Sequence, residues 1–130
     1  MDPVKVLQRA YQDELLDALR AEGAAQGVPY PHVRALLLEV ARRERAHAEA
    51  LAEALRRRGA PLPPTPKPEE GGWETLLRLL SEEGLDRAYY LESTFPDPEL
   101  EALFTRLGQE ERLNQEAVRK AVMLIGGGLR

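Results

Sequence analysis

The fold is decided by the stretch Pro31-His-Val-Arg-Ala-Leu-Leu-Leu-Glu-Val-Ala-Arg-Arg-Glu44-Arg-Ala-His47. Apolar residues recur in it at intervals of three and four, the spacing of one face of an α-helix. Two ionisable residues, Glu44 and His47, occupy the same face at the end of this stretch, and Leu51 continues the apolar face beyond them. The pattern predicts an amphipathic helix whose buried stripe carries a carboxylate and an imidazole at mid-length.

The second half of the chain repeats this pattern from Pro98 onward. When Pro31 is aligned with Pro98 without gaps, Glu44 coincides with Glu111 and apolar positions coincide with apolar positions. The same alignment places Asn114 opposite the histidine. A duplicated helical hairpin is the simplest explanation of such a repeat.

The prolines divide the chain into four helical segments. All ten prolines fall in four short clusters, and proline is tolerated only in the first turn of a helix. The segments between the clusters are rich in Ala, Leu, Glu and Arg, which favour helix. They cover residues of about 4 to 28, 32 to 59, 69 to 95 and 99 to 125. The sequence therefore predicts an all-α fold, an antiparallel four-helix bundle.

The connection between the two halves is long and rich in proline. It comprises residues 60–72, between a first hairpin at 4–59 and a second at 73–125. An extended chain of this length spans roughly 40 Å, about the length of a 25-residue helix. A flexible linker between two domains is the alternative, but a hairpin of about 55 residues would bury its apolar stripe poorly alone. We therefore predict a crossover inside one domain, residues 1–130.

Further carboxylates fall on the predicted apolar stripes. Glu14 stands at mid-length in the first helix, and the repeat places either Glu82 or Glu83 at the equivalent position of the third. A carboxylate inside a bundle costs several kcal/mol unless it is protonated, ion-paired or bound to a cation. The stripes of the first, second and fourth helices carry no Lys or Arg. Bound metal ions would explain this layer of carboxylates.

The composition limits what those ions can bind to and where the protein acts. The 130 residues carry a net charge of −4 and include no cysteine, which excludes disulfides, thiol catalysis and Cys-ligated zinc or iron. Any metal must therefore bind through oxygen and imidazole. Mixed-sign charges do not indicate nucleic-acid binding, and no apolar run approaches the roughly 18 residues that cross a membrane. We expect a soluble cytoplasmic protein without nucleic-acid or membrane partners.

On these residues the chain resembles the ferritin-like superfamily, most closely its rubrerythrin-like diiron-carboxylate proteins. The resemblance rests on two helical hairpins, a long crossover, the Glu-x-x-His element ending at His47 and its duplicated counterpart. It implies that Glu44 and Glu111 bridge two metal ions and that His47 completes the ligands of one of them. It further implies terminal ligands at Glu14 and at Glu82 or Glu83. The chain departs from the pattern at Asn114, which stands where the family has a second histidine and whose amide oxygen is a weaker ligand.

The resemblance also implies cofactors and partners. The expected cofactors are two iron ions, or manganese, and the expected chemistry is reduction of oxygen or peroxide, of the peroxidase type, or oxidation and storage of iron, of the ferroxidase type. Because the chain has no cysteine-ligated iron module, an external electron donor is expected. We also expect a homo-oligomer. The alternative is a non-enzymatic ferritin-like bundle with a degenerate metal site that acts as an assembly or interaction module.

Overall fold

The computed structural model describes residues 2–67 and 73–128, which form four long helices and a short final turn. The helices are α1 (Pro3–Gln26), α2 (Pro31–Arg57), α3 (Trp73–Glu92) and α4 (Pro98–Met123), and a π-helical turn (Leu124–Gly128) follows α4. The described residues contain no strand, so the predicted all-α class is confirmed. Within the same residues, no helix combines the length and the apolar character that crossing a membrane requires.

Proline and aspartate determine where three of the helices begin. Pro3, Pro31 and Pro98 are the first helical residues of α1, α2 and α4, where the missing proline N–H breaks no hydrogen bond. Asp2 and Asp97 precede two of them, and each side chain accepts a hydrogen bond from a backbone N–H of the first turn. The proline clusters therefore mark helix starts as predicted.

The crossover begins at Gly59 and follows α1. Gly59 has φ of +62°, a left-handed conformation that ends α2 and that glycine adopts without strain. Gln8 Nε2 then donates to the carbonyl of Pro61 at 3.0 Å, and Gln12 Nε2 donates to that of Pro64 at 3.2 Å. The residue numbers of the two partners increase together in these hydrogen bonds, so the crossover runs in the same direction as α1. Residues 68–72 of the predicted crossover lie outside the described residues.

The four helices pack in an antiparallel arrangement around a core with three apolar clusters. Helix α1 packs on α2 and α3, and α4 packs on α2 and α3. One end cluster includes Leu7, Leu55, Tyr90, Phe95 and Phe104. The middle cluster includes Ala21, Val40, Leu79 and Val118, and the other end cluster includes Ala25, Val33, Leu76 and Ala121.

A polar layer lies between the first and the middle clusters. On α1 the buried acids follow Ala10 and precede Ala21, and on α4 the buried polar residues lie between Leu107 and Val118. On α2 the polar pair likewise lies between Val40 and a buried leucine of the first cluster. Helices α1, α2 and α4 therefore contribute polar groups to the core at the same height, which is the arrangement a shared metal centre requires.

Candidate metal centre

Four buried side chains from three helices converge in the polar layer. Glu14, Glu44 and Glu111 are 0% exposed, and His47 is 2% exposed. One ligand atom from each of the four lies within 4.8 Å of the others. The amphipathic spacing of α1, α2 and α4 places these side chains in the core, as the sequence pattern predicted. Three carboxylates and one imidazole are a ligand set for a divalent transition-metal ion.

Carboxylates flank both ring nitrogens of His47. Its Nδ1 lies 2.7 Å from Glu14 Oε2 and 3.0 Å from Glu111 Oε1. Its Nε2 lies 3.1 Å from Oε1 of Glu110, whose side chain is 39% exposed. An Nε2–H that donates to Glu110 leaves the lone pair of Nδ1 pointing toward the buried carboxylates, the tautomer that binds metal. From the sequence, Glu110 was expected to belong to a solvated face of α4, because it lies outside the apolar stripe that contains Glu111.

A second group of acids adjoins the first and shares Glu44 with it. Ligand oxygens of Asp17, Glu44 and Asp86 lie within 4.8 Å of one another. Asp17 is 2% exposed and Asp86 is 8% exposed. Neither aspartate was identified from the sequence. Asp17 follows Glu14 by three residues, the same spacing as Glu44 and His47, so a signal for it was present.

Asn114 contacts Glu44 through its amide nitrogen. Nδ2 of Asn114 donates to Glu44 Oε1 at 2.6 Å, and Oδ1 accepts from Arg43 Nε at 2.7 Å. The amide oxygen that the sequence analysis proposed as a weak ligand is therefore occupied by Arg43. In the structure Asn114 orients Glu44, and it is fully buried in doing so.

Among the side chains that the structure describes, α3 contributes Asp86 to the two groups, one helical turn beyond Glu82. Glu82 belongs to neither group. It is half-buried and lines a surface cavity between α1 and α3. Leu79, Asp86 and Tyr90 are the buried residues of this part of α3, and Glu82 lies at the edge of the face that they form. The side chain of Glu83, the other residue predicted from the repeat, lies outside the described residues.

Burial makes the acids of this layer hard to ionise. It raises the pKa of Glu14 and Glu44 well above the ordinary value, and neighbouring carboxylates raise both further. Burial raises the pKa of Asp17 to about 6. Burial, together with the adjacent Asp17, raises the pKa of Asp86 to about 11. Without a cation the layer therefore holds protons.

The unpaired oxygens of the layer fit bound cations. As ionised carboxylates, Glu14, Asp17, Glu44 and Asp86 each keep a buried oxygen that no hydrogen-bond donor reaches. Such atoms are rare in folded proteins because each costs the free energy of its lost hydration. Metal ions bound to the free oxygens would remove this free-energy cost, which would explain why the bundle buries several carboxylates in one layer.

The match of a protein-family model decides the family. The rubrerythrin family model matches residues 5–94. The chain belongs to the rubrerythrin family. The rubrerythrin match begins within the first turn of α1, includes α2, α3 and the residues Glu14, Glu44 and His47, and ends before Glu111 and Asn114. No curated protein and no solved structure matches the chain.

Proposed function

We propose that this protein is a non-haem dimetal carboxylate oxidoreductase that uses iron or manganese to react with peroxide or dioxygen. The observation that carries the proposal is the convergence of Glu14, Glu44, His47 and Glu111 at one height inside the bundle. Membership of the rubrerythrin family supports the same conclusion, because that family consists of ferritin-like diiron-carboxylate proteins.

The residues of the layer suit this chemistry. Glu14, Glu44, Glu111 and Nδ1 of His47 would hold the first ion, and Glu110 would fix the tautomer of the imidazole. When bound, a redox-active ion supplies the one-electron changes that reduction of dioxygen or peroxide requires. The apolar clusters on both sides of the layer keep bulk water from the carboxylates, which strengthens their attraction for cations.

Small reactants have a route from solvent to the edge of the layer. A surface cavity of about 290 Å³ lies between α1 and α3, and Asp86 forms part of its wall. A cavity of this size admits dioxygen, peroxide or hydrated cations. Because the chain has no cysteine, we propose that reducing equivalents come from a separate donor.

Single-turnover oxidation tests the proposed function. Protein freed of metal by chelation is loaded with Fe²⁺ without oxygen and mixed with hydrogen peroxide or with oxygenated buffer. We expect near-UV absorbance of ferric carboxylate to develop at least about ten times faster than with free Fe²⁺, a modest acceleration for an enzyme. Glu44→Gln removes a ligand and should abolish the acceleration. Glu116→Gln, an exposed acid of α4, should leave it unchanged.

The opposite result would favour the non-enzymatic alternative. If folded, metal-free protein takes up neither Fe²⁺ nor Mn²⁺, the proposal is wrong. If it binds iron but reacts with neither oxidant faster than free iron does, the oxidoreductase proposal is wrong and the non-enzymatic alternative is favoured.

A further inference from the structure

The second acidic group differs chemically from the first. Its members, Asp17, Glu44 and Asp86, supply oxygen ligands only. His47 lies in the first group, and the other histidine of the chain, His32, is exposed at the start of α2. An ion bound by the second group would therefore have carboxylate and water ligands, which hard divalent cations prefer.

One oxygen of each acid in this group has no donor other than the protons that the buried acids themselves hold. Without a cation, Asp86 keeps its proton and forms a hydrogen bond with Asp17. When all three acids are ionised, Asp17 Oδ2, Glu44 Oε2 and Asp86 Oδ2 are buried and reached by no hydrogen-bond donor, so a cation is needed to compensate them. Arg20 is a cationic neighbour of Asp17, and its Nη1 lies 3.5 Å from Oδ1, the other oxygen of the carboxylate. The contact with Arg20 therefore leaves Oδ2 of Asp17 available.

The hydrogen bonds of Asn114 explain why this residue of α4 is not a ligand in the second group. Its amide donates to Glu44, and Arg43 occupies its oxygen. Helix α4 therefore supplies a positioning residue for Glu44 where a second imidazole would otherwise stand. Asp17 of α1 offers the missing ligand from the opposite side of the layer.

The charge of the layer matches two divalent cations. Among the buried side chains that the structure describes, the ionisable groups of the layer other than the imidazole are five carboxylates and the guanidinium of Arg20. When all are ionised, five negative charges and one positive charge leave a net charge of −4. One divalent ion would neutralise half of it, and two would neutralise all of it. A single ion would leave two negative charges buried without compensation, and a second ion removes the free-energy cost of burying them.

The second group reaches the wall of a surface cavity. Asp86 belongs both to this group and to the wall of the cavity between α1 and α3. Asp13, Glu82 and Glu92 lie in the same wall beside Arg9. This predominantly acidic cavity attracts cations and leads them to Asp86.

We propose that Asp17, Glu44 and Asp86 form the second metal position of this protein, an all-oxygen site for a hard divalent cation such as Mn²⁺. The site replaces an imidazole ligand from α4 with a carboxylate from α1. The inference rests on the proposed function, because Glu44 would join this ion to the one held by His47.

Titration with Mn²⁺ tests the second position without any activity measurement. Metal-free wild-type protein is dialysed against Mn²⁺ alone, and bound manganese is counted by elemental analysis and followed by electron paramagnetic resonance. We expect two ions per chain and a spin-coupled spectrum, because both positions share Glu44. Asp86→Asn and Asp17→Asn should each bind one ion and give an uncoupled spectrum. Asp13→Asn, an acid of the same cavity outside both groups, should still bind two.

Folding of the variants is checked by their thermal transitions. An asparagine has nearly the shape of a protonated aspartate, so the metal-free Asp86→Asn protein should melt no lower than the wild type. Asp17→Asn gives an independent result if Asp86→Asn fails to fold.

The outcomes separate the two proposals. If wild-type protein binds one Mn²⁺, or if both variants retain two, the second position is wrong and the proposed function stands. If wild-type protein binds no Mn²⁺ and no Fe²⁺, both proposals are wrong.

Discussion

At the scale of single residues, His47 organises the centre because each of its ring nitrogens has a carboxylate partner. Nδ1 faces Glu14 and Glu111, and Nε2 faces Glu110. Partners of the second nitrogen fix the orientation of a metal-binding imidazole and raise its basicity. Glu110 is therefore expected to contribute to metal affinity without touching the metal.

Glu110→Gln tests this contribution. The variant keeps a hydrogen-bond acceptor near Nε2 but loses its charge, so we expect Fe²⁺ and Mn²⁺ to bind about tenfold more weakly, the lower end of such effects. Equilibrium dialysis measures the change, and Glu116→Gln on the exposed face of α4 is the matched control. Equal affinity in the two variants would show that the contact of Glu110 with His47 has no influence on binding.

The raised pKa of Asp17 predicts how the metal-free protein responds to pH. Because its folded pKa of about 6 exceeds the ordinary 3.8, the folded state holds a proton that the unfolded state has already lost. The stability that Asp17 contributes is thus fully present below about pH 4 and is lost as pH rises toward about 6. The melting temperature of wild-type protein relative to that of Asp17→Asn should fall across this interval. A constant or rising difference would contradict the raised pKa.

At the scale of the helices, the sequence predicted the four helices well but did not identify which face of α3 is buried. Proline at the first helical position and glycine at the end of α2 mark boundaries that depend only on local chemistry. The stripes of α1, α2 and α4 were readable because one polar group stands out among apolar neighbours. In α3 leucines and acids occupy adjacent positions, so the sequence permitted one stripe through Leu76 and Glu83 and another through Leu79 and Glu82. The buried residues match neither stripe alone, because they include Leu76, Leu79, Asp86 and Tyr90.

The difference between local sequence patterns and helix packing also explains which site residues could be predicted. Glu14, Glu44, His47 and Glu111 follow from the helical repeat alone and converge in the structure. Asp17 and Asp86 depend on how the helices are rotated against each other, which composition and periodicity do not specify. The sequence showed an asparagine at position 114 where the family pattern has a histidine. The hydrogen bond from Asn114 to Glu44 could not be predicted, because it depends on the distance between α2 and α4.

Close approach of α3 and α4 makes Gly108 a packing requirement. A Cβ at Gly108 would lie 2.7 Å from Leu91 Cδ2 and 2.9 Å from Leu91 Cγ. We expect Gly108→Ala to lower the free energy of unfolding by about 1–3 kcal/mol, because overpacking outweighs the better helix propensity of alanine. Chemical denaturation measures the change.

Gly84→Ala is the matched control for this prediction. A Cβ at Gly84 meets only the end of the Gln115 side chain, at 3.2 Å, and that side chain can move away. The substitution should be neutral or stabilise the protein by up to about 1 kcal/mol through helix propensity. A Gly108→Ala protein as stable as Gly84→Ala would show that α3 and α4 do not pack this closely.

At the scale of the whole molecule, the polar layer divides an otherwise apolar core. All four helices contribute to it, and the apolar clusters on either side hold those helices in register. Burying five acids in one layer opposes folding, and bound cations would turn the same residues into links between the helices. The metal centre and the stability of the bundle are therefore coupled.

An anomalous difference map from crystals of the protein grown with Mn²⁺ would locate the ions directly. We predict one peak bonded to Nδ1 of His47 at about 2.0–2.3 Å, the range of metal–nitrogen bonds, with Glu14, Glu44 and Glu111 as oxygen ligands. A second peak is expected beside Asp17 and Asp86. A saturated crystal with no peak in the polar layer, and with Nδ1 of His47 still bonded to a carboxylate, would contradict the existence of a metal centre.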